Sequence, residues 1–331
     1  MPTHLWTRRA LGGLTVAAVT TLAAAGSAQA EWRGWNIHVP EYSNSQALDW
    51  FTEQLAERTD GRLTAKTFHN GVLGSQPDAI EQLRLGGIDY ANFNLGPMGP
   101  TVPETNVVSL PFVFDSLDHM YRAMDGVVGE ALSEAMEEHG IVALAWYGSG
   151  ARSFYNSDGP IDEPADLGGK KIRVMNNDLF VGMIEALGGN ATPMAFAEVY
   201  QSLNTGVVDG AENNYPSYES TGHYEVAGYY SLSEHLIIPE CFCMNADLYN
   251  SLSDEDQVLV RELARESAVL QRELWAESSQ AARDKVEAAG VQINEIDDKT
   301  PFQNAMQPVY EKAYERQPEL EQLVELIQSV D

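Results

Sequence analysis

The sequence predicts two α/β domains with largely parallel sheets. Three observations favour this fold class. Predicted strands and helices alternate along the chain, one helical pattern is too long for a single small domain, and 331 residues suffice for two domains with sizeable cores. We expect the long helix to span both domains.

Hydrophobic patterning predicts the elements in order. The first half of the chain has the patterns of strand 35–39, helix 44–58, strand 63–68, helix 77–85, strand 88–93, helix 117–138 and strand 141–146. Gly140 ends the helix before the last of these strands, because glycine readily adopts the conformation found after a helix C-terminus. That last strand is apolar throughout, which is typical of a buried strand.

The longest predicted helix begins at Ser253. Ser253 and Asp256 have the spacing of a capping box, and Gly290 ends the helical pattern. At ~1.5 Å per residue this helix is on the order of 54 Å long. A terminal helical region, broken by two prolines, follows at 299–327.

An internal similarity relates two parts of the chain. Residues 83–94 and 203–214 share Leu, Gly, Asp, Ala and a final Asn at a constant offset of 120 residues. Each copy has the pattern of a helix end, a glycine cap, a short strand and a polar strand end. Ligands of open α/β sheets bind beyond the carboxyl ends of strands, so two facing copies would form a cleft. Junctions of this type also resemble one another by chance.

The first 30 residues have the pattern of a secretory signal peptide. Arg8 and Arg9 precede an apolar run, and an Ala-Gln-Ala cleavage site ends at Ala30. We expect the mature chain to begin at Glu31. The sequence leaves open whether the Sec or the twin-arginine route exports it.

Charge excludes several classes of partner. The expected signal peptide carries two arginines and no acid, so its removal changes the formal net charge from −29 to −31. Such a surface repels nucleic acid and anionic lipid. No later stretch is apolar over about 18 residues, so we expect no membrane-spanning helix.

Cys241 and Cys243 are the only cysteines in the sequence. On a strand their side chains would share a face, but a disulfide between positions two apart is strained. Two cysteines without further ligands do not build a zinc site. We interpret them as buried strand residues rather than as a redox pair.

Two arginines and two asparagines stand out as candidate binding groups. Arg173 lies in an alternating strand, and its guanidinium can hold a carboxylate through two parallel hydrogen bonds. Arg152 follows a glycine-containing turn. Asn213 and Asn214 end the second copy of the repeat, where amides suit a hydroxyl-rich ligand because they donate and accept. The alternatives are a surface ion pair for Arg173, a solvated strand start for Arg152 and turn formation for the asparagines.

Other polar residues could also reach a cleft. They lie at or near strand ends or near a helix start: His38, Gln76, Asn94 and Glu240. Catalytic motifs do not accompany them, since the sequence has no H-E-x-x-H, no G-x-S-x-G and no complete dinucleotide fingerprint. The seven histidines lack metal-ligand spacing. We therefore expect no catalytic residue, no metal and no cofactor.

Motifs along nearly the whole mature chain carry a family resemblance. In order they are D-G-R-L at 60–63, L-G at 73–74, E-Q-L at 81–83, S-L-P-F at 109–112, D-L-G-G-K-K-I-R-V at 166–174, P-M-A-F-A-E-V-Y at 193–200 and V-V-D-G-A-E-N at 207–213. Together they resemble the solute-binding proteins of tripartite ATP-independent periplasmic (TRAP) transporters, of the DctP type. The resemblance implies a two-domain Venus-flytrap fold, a periplasmic location and a receptor rather than an enzyme.

The resemblance also implies roles for individual residues. Arg173 matches the arginine that holds the ligand carboxylate, and Arg152 matches a second arginine that often assists. Asn213 matches the asparagine that orients the same carboxylate. Phe196 occupies a position that commonly lines the pocket, and Asn94 one that carries a polar selectivity residue.

Departures from the family pattern point to a subgroup. Many members have a proline soon after R-V, where this chain has M-N-N at 175–177, and many have E-N-P, where it has E-N-N. The run G-A-E-N-N at 210–214, with P-S-Y at 216–218, His235 and P-E at 239–240, resembles members that bind sugar acids such as glucuronate and galacturonate. We therefore expect a uronate whose hydroxyls contact Asn94, Gln76, His38, Asn176 and Glu240.

The resemblance implies domain boundaries and partners as well. Domain I would comprise residues 31–150 and 239–278, and domain II residues 151–238 and 279–331. We expect a monomer that closes on its ligand and docks on a membrane permease driven by an ion gradient. This docking would be its only contact with the membrane.

Three alternatives remain open. A binder of C4-dicarboxylates or another simple carboxylate would use the same arginines. A periplasmic enzyme acting on acidic sugars would convert the ligand instead of releasing it. A sensor subunit would deliver the ligand to a membrane kinase, and the sequence does not separate that role from transport.

Overall fold

The computed structural model describes residues 1–3 and 31–330, and two β-sheets with flanking helices form its framework. The strands are β1 Trp32–Asn36, β2 Ala65–Phe68, β3 Tyr90–Asn94, β4 Ile141–Tyr147, β5 Ala151–Asn156, β6 Lys171–Val174, β7 Asn190–Pro193, β8 Gly210–Asn213, β9 Tyr229–Ile237, β10 Glu240–Asn245 and β11 Gln292–Glu295. The α-helices are α1 Ser43–Arg58, α2 Gln76–Arg84, α3 Leu117–Asp125, α4 Val127–Glu138, α5 Asp178–Ala186, α6 Val199–Asn204, α7 Tyr215–Ser220, α8 Ala246–Ser251, α9 Asp254–Ala288, α10 Thr300–Ala305, α11 Gln307–Arg316 and α12 Glu319–Gln328. The predicted signal peptide, apart from residues 1–3, and its cleavage site lie outside the described residues.

Each sheet combines parallel pairs with one antiparallel strand. The first sheet has the order β2-β1-β3-β10-β4, and the second has the order β11-β9-β5-β8-β6-β7. Strands β10 and β5 are antiparallel to both of their neighbours, whereas β1 pairs in parallel with β2 and β3, and β6 with β7 and β8. Each of these two strands directly follows a strand of the other sheet, since β5 follows β4 and β10 follows β9. The predicted α/β class is confirmed, with sheets that are more mixed than expected.

The chain passes repeatedly between a first lobe around the first sheet and a second lobe around the second. Residues 148–150 connect β4 to β5, and residues 238–239 connect β9 to β10. Helix α9 makes a third connection, because β10 belongs to the first sheet and β11 to the second. Finally, α11 packs against α5 of the second lobe, whereas α12 packs against α4 and the 3-10 helix Pro103–Ser109 of the first.

The long helix forms as the sequence predicts. Ser253 Oγ accepts a hydrogen bond from the Asp256 backbone N–H at 3.2 Å. The Asp256 carboxylate does not complete the capping box and instead binds the Arg62 guanidinium through two hydrogen bonds of 2.6 and 2.7 Å. Helix α9 packs against α1 and β4 of the first lobe and α7 of the second. The prediction of one helix that spans both domains is therefore confirmed.

Two predicted elements differ from the structure. The helix predicted at 117–138 is divided into α3 and α4 at Gly126, whose φ of −119° and ψ of −142° are not helical. The strand predicted at 35–39 is β1, which begins earlier and ends at Asn36. Its pairing with β2 runs from Trp32 to Trp35, and beyond Asn36 the chain leaves the sheet.

The two copies of the internal repeat adopt the same local structure. Gly86 follows α2 with a φ of 72°, and Gly206 follows α6 with a φ of 71°. In both copies the glycine N–H binds the carbonyl of the leucine three residues earlier, Leu83 or Leu203. The left-handed backbone at these two positions favours glycine because it has no Cβ. Strands β3 and β8 then follow, one in each sheet.

The cysteines lie on β10, an interior strand of the first sheet. Cys241 and Cys243 on β10 are fully buried, which confirms the interpretation as buried strand residues. The structure also joins them in a disulfide, a pairing that the strain argument disfavoured. The register of β10 against β4 shifts between Phe242 and Cys243, so this stretch is not a regular ladder.

Aromatic packing dominates the core of the first lobe beside α1. The buried Phe242 ring lies 4.7 Å from the ring of Phe51 and 5.9 Å from that of Tyr90, measured between centroids. We expect Phe242→Ala to lower the free energy of unfolding by about 3–5 kcal/mol, because it leaves a cavity among rings that cannot close over it. Urea denaturation followed by circular dichroism measures this change. Val258→Ala, at a position that is 66% exposed, is the control and should change it by less than about 0.5 kcal/mol.

A histidine is buried in the second lobe. His223 Nδ1 lies 2.7 Å from Tyr155 Oη, and burial together with the nearby charge of Arg173 lowers the pKa of His223 to about 3. An unfolded histidine has a pKa of about 6.5, so between these values the unfolded chain binds a proton that the folded chain does not. The free energy of unfolding should therefore fall as the pH is lowered from about 6.5 towards 3, by up to ~1.4 kcal/mol per pH unit from this residue.

The variant His223→Gln tests this dependence. Urea denaturation at pH 7, 6 and 5 should give a shallower loss of unfolding free energy for the variant than for the wild type, because one buried neutral histidine is missing. His139→Gln, at the half-buried end of α4, is the matched control. Equal slopes for the wild type and His223→Gln would contradict the assignment.

Candidate functional site

A cavity of about 470 Å³ lies between the two lobes. The first lobe contributes polar side chains at or near strand ends and at the start of α2: His38, Gln76, Asn94 and Glu240. The second lobe contributes two cations, two amides and an aromatic ring: Arg152, Arg173, Asn176, Asn213 and Phe196. The structure thus brings all nine residues selected from the sequence to one cavity.

The repeat explains why polar groups from both lobes meet there. Asn94 ends β3 in the first sheet, and its counterpart Asn214 follows β8 in the second. Both residues line the cavity. The two copies therefore face each other at their polar strand ends, as the sequence comparison suggested.

Arg173 is a buried cation that, within residues 1–3 and 31–330, has no acidic partner. Its Nε and Nη2 atoms donate to the Met194 carbonyl oxygen at 3.2 and 2.9 Å, and its Cζ lies 6.0 Å from the centroid of the Phe196 ring. Among the described residues, no acidic side chain forms an ion pair with it. Burial lowers the pKa of the guanidinium to about 10, so the group stays charged at neutral pH. A buried guanidinium with N–H groups to spare on a cavity wall is able to bind an anion.

Arg152, by contrast, is already paired. Its Nε and Nη2 atoms donate to the two carboxylate oxygens of Glu212, and both side chains are buried. Burial lowers the pKa of Arg152, but the Glu212 carboxylate outweighs this and raises it above the usual value. The Nη1 atom donates to Asn213 Oδ1 at 2.8 Å. Arg152 therefore has little donor capacity left for a ligand, and it holds Asn213 in place.

The orientation of Asn213 follows from its donors. Its Oδ1 accepts hydrogen bonds from Arg152 Nη1 and from the Asn214 backbone N–H at 2.9 Å. Two donors on the same atom identify it as the amide oxygen. The NH₂ group of Asn213 is then the part of the side chain that can donate to an anion in the cavity.

Glu240 forms the opposite pole of the cavity. Its Oε2 accepts hydrogen bonds from Asn44 Nδ2 at 2.7 Å and from Asn92 Nδ2, and its Oε1 lies 3.4 Å from Asn94 Nδ2 and 3.5 Å from His38 Nε2. Burial raises the pKa of Glu240, but His38 and the amide donors outweigh this and hold it below its usual value. The carboxylate is therefore ionised at neutral pH. It can accept hydrogen bonds from hydroxyl groups.

The two lobes touch each other around the cavity. Tyr42 Oη of the first lobe lies 2.9 Å from Ser217 Oγ and 3.3 Å from Asn214 Oδ1 of the second. The His38 ring stacks on the Tyr42 ring of the same lobe, with centroids 3.8 Å apart. The Phe196 ring of the second lobe meets His38 in a T-shaped arrangement, with centroids 6.4 Å apart. These contacts join the two lobes directly beside the cavity.

Several contributing residues were not selected from the sequence. Asn92 could have been found, because it lies two positions before Asn94 on β3 and so shares its face of the sheet. Asn44 and Glu212 carry no such signal, since their roles depend on partners more than 50 residues away in the chain.

The described residues contain no helix that is long and apolar enough to cross a bilayer. In the same part of the chain, no group of three or more His, Cys, Asp or Glu side chains is arranged to hold a metal ion. The groups that converge on the cavity are hydrogen-bond donors, acceptors and opposite charges. Such a set can bind an anion that also carries hydroxyl groups.

Comparison with known proteins identifies the family. Residues 37–317 match the family described as bacterial extracellular solute-binding protein, family 7, or DctP. A solute-binding protein of Chromohalobacter salexigens is 57% identical over 318 residues, which cover 96% of this chain and 94% of that protein. A 2,3-diketo-L-gulonate-binding periplasmic protein of Escherichia coli is 32% identical, over 77% of this chain and 78% of that protein.

Solved structures agree with this match. A TRAP periplasmic solute-binding protein of Roseobacter denitrificans with bound β-D-glucuronate superimposes with a TM-score of 0.90 at 61% identity, covering 91% of this chain and 100% of that one. A TRAP protein of a Sulfitobacter species with bound β-D-galacturonate gives 0.89 at 60% identity, covering 90% and 99%. The chain therefore belongs to the DctP family of extracellular solute-binding proteins, the receptors of TRAP transporters.

Proposed function

We propose that this receptor binds a uronate, such as glucuronate or galacturonate, between its lobes and delivers it to a TRAP membrane permease. The observation that carries the proposal is Arg173, a buried cation with no acidic partner among the described residues, on the wall of a cavity with a hydroxyl-accepting carboxylate, Glu240, at its other side. The bound uronates of the structurally similar Roseobacter denitrificans and Sulfitobacter proteins support it.

The carboxylate of the ligand would bind at the second lobe. Arg173 offers guanidinium N–H groups that the Met194 carbonyl does not use, and Asn213 offers its NH₂ group. Charge-assisted hydrogen bonds of this type are roughly twice as strong as neutral ones. Arg152 would act mainly through Asn213, and it contributes at most the remaining N–H of Nη1.

The hydroxyl groups of the ligand would face the first lobe. Glu240 accepts hydrogen bonds, whereas Asn94 and Gln76 supply amides and His38 a ring nitrogen. A C4-dicarboxylate would bring a second negative charge towards the buried Glu240 carboxylate, where like charges repel strongly. This feature favours a polyhydroxylated monoacid over the dicarboxylate alternative. Asn176 and Phe196 would complete the wall of the second lobe.

We further propose that the protein releases its ligand unchanged, acts in the periplasm as a monomer, and loses residues 1–30 on export. Domain I would comprise residues 31–150 and 239–278, and domain II residues 151–238 and 279–331. The membership of the two sheets supports this division, since β1 to β4 and β10 form one sheet and β5 to β9 and β11 the other. Helix α12 is the exception, because its residues fall in this domain II but it packs on α4 of domain I and would move with domain I.

Isothermal titration of the purified mature protein tests the carboxylate anchor. We expect glucuronate or galacturonate to bind the wild type, and Arg173→Ala to weaken that binding at least about 30-fold. Truncation of one partner of a buried charge pair costs about 2–5 kcal/mol, and 1.4 kcal/mol corresponds to tenfold in Kd. Arg316→Ala, whose side chain is exposed, is the matched control and should bind normally.

Arg173→Lys separates charge from geometry in the same titration. It keeps the positive charge but loses the planar fork, so we expect an intermediate affinity.

The acid recovered from the wild type is then identified by mass spectrometry, and a receptor should return it unchanged. The proposal would be overturned if the wild type bound no sugar acid, or if Arg173→Ala bound glucuronate as tightly as the wild type does.

A second variant tests the hydroxyl-binding side. We expect Glu240→Gln to weaken glucuronate binding about tenfold or more, because a hydrogen bond to a charged acceptor is replaced by one to a neutral amide. Its affinity for succinate should stay low or rise, because the repelling charge is gone. Competition titrations with glucuronate and succinate measure the ratio of the two affinities. A wild type that prefers succinate would favour the dicarboxylate alternative.

A further inference from the structure

One face of α9 follows the connection from β4 to β5. Ser267, Gln271 and Trp275 are spaced four residues apart, so their side chains share that face. Ser267 Oγ lies 2.7 Å from Tyr147 Oη, just before the connection. The ring of Trp275 packs so closely on Gly150 that a Cβ there would lie 2.8 Å from it. Between them, Gln271 contacts the connection itself.

Gln271 binds both backbone polar groups of one residue of the connection, Gly148. Its Oε1 accepts a hydrogen bond from the Gly148 N–H at 3.0 Å, and its Nε2 donates to the Gly148 carbonyl at 2.8 Å. The second N–H of Nε2 donates to Asn44 Oδ1 at 2.8 Å. Gln271 is fully buried, and this use of both donors fixes the orientation of its amide.

Asn44 continues the path to the ligand cavity. Its Oδ1 is bound by Gln271, so its Nδ2 is the donor that reaches Glu240 Oε2 at 2.7 Å. Asn44 and Gln271 are both fully buried, and neither lines the cavity. A continuous series of hydrogen bonds therefore runs from Gly148 through Gln271 and Asn44 to Glu240.

This series of hydrogen bonds starts in one of the segments that connect the lobes. Movement between lobes requires changes of φ and ψ in the connecting segments. Residues 148–150 form one such segment, and Ser149 ties it to the next, since Ser149 Oγ donates to the Ile238 carbonyl at 2.6 Å. Asn214, on the cavity wall, donates to the Ser149 carbonyl at 2.8 Å. The connecting segments and the cavity thus share one buried polar network.

We propose that Gln271 is a positioning residue for ligand binding, which acts through Asn44 to hold the Glu240 carboxylate in a fixed relation to the connecting segment at Gly148. Contact of the ligand with Glu240 and the conformation of the connection are then energetically coupled. Loss of Gln271 removes the hydrogen bonds to Gly148 and to Asn44. Glu240 is then less well oriented, and the arrangement in which the lobes touch around the ligand is less favoured. This inference rests on the proposed function, because it takes Glu240 as a ligand contact.

The test combines variants at both ends of the series. Gln271→Met keeps the length of the side chain and removes its hydrogen bonds. We expect it to raise the Kd for glucuronate about tenfold, mainly through faster dissociation, measured by titration and stopped-flow fluorescence. Gln280→Met, an exposed position on the same helix, is the matched control and should leave Kd unchanged.

A double-mutant cycle separates positioning from a merely structural role. In the Glu240→Gln background, Gln271→Met should change Kd less than threefold, because the group that it positions is already altered. A purely structural loss would weaken binding equally in both backgrounds, and that result would overturn the proposal. If Gln271→Met does not fold, as judged by its melting transition, Asn44→Ala interrupts the same series and enters the cycle in its place.

Wild-type titration keeps the two proposals distinguishable. No binding of glucuronate or galacturonate by the wild type overturns the proposed function, and the role of Gln271 with it. Normal wild-type binding together with unchanged affinity in both Gln271→Met and Asn44→Ala overturns only the role of Gln271.

Discussion

The cavity depends on one constraint, which is that the Arg173 guanidinium is buried with no ion-pair partner in the part of the chain that the structure describes. A desolvated cation is costly, and here one carbonyl oxygen and one aromatic ring offset only part of that cost. The neighbouring Arg152 shows the other solution, because the buried Glu212 carboxylate accepts two hydrogen bonds from it. The two buried arginines thus differ in their hydrogen-bond acceptor, which is a carboxylate for Arg152 and a backbone carbonyl for Arg173. That difference leaves Arg173 available for the carboxylate of a ligand. The amide of Asn213, which Arg152 orients, can donate to the same carboxylate.

Anion binding by so acidic a chain follows from the range of electrostatic forces. The formal net charge is −29, yet most acids are exposed and screened by salt within about 8–10 Å. Inside the cavity the screening is weaker, and the nearest charges decide the potential. Arg173 and Glu240 lie on opposite walls, so the cavity has a positive and a negative side. A ligand with an acid at one end and hydroxyls at the other matches this polarity in one orientation only.

The sequence predicted what depends on local pattern and missed what depends on distant partners. The α/β class, the long helix capped by Ser253 and the equivalence of Gly86 and Gly206 follow from periodicity and from glycine conformation. All nine selected residues line the cavity, although their contacts with a ligand remain predictions. The break at Gly126 was missed because glycine is tolerated inside many helices. The pairing of Arg152 with Glu212 and the links of Asn44 are set by strand order and helix packing, which no single segment encodes.

The return of α12 to the first lobe has a topological consequence. Between β1 and the end of the described chain, the backbone passes from one lobe to the other four times, at 148–150, at 238–239, through α9 and between α11 and α12. Four is an even number, so the described path returns with α12 to the lobe in which β1 lies. Probes attached beside β1 and on α12 would both travel with the first lobe and would not report its rotation against the second. A reporter of closure must instead carry one label inside the sequence, on a surface position of the second lobe.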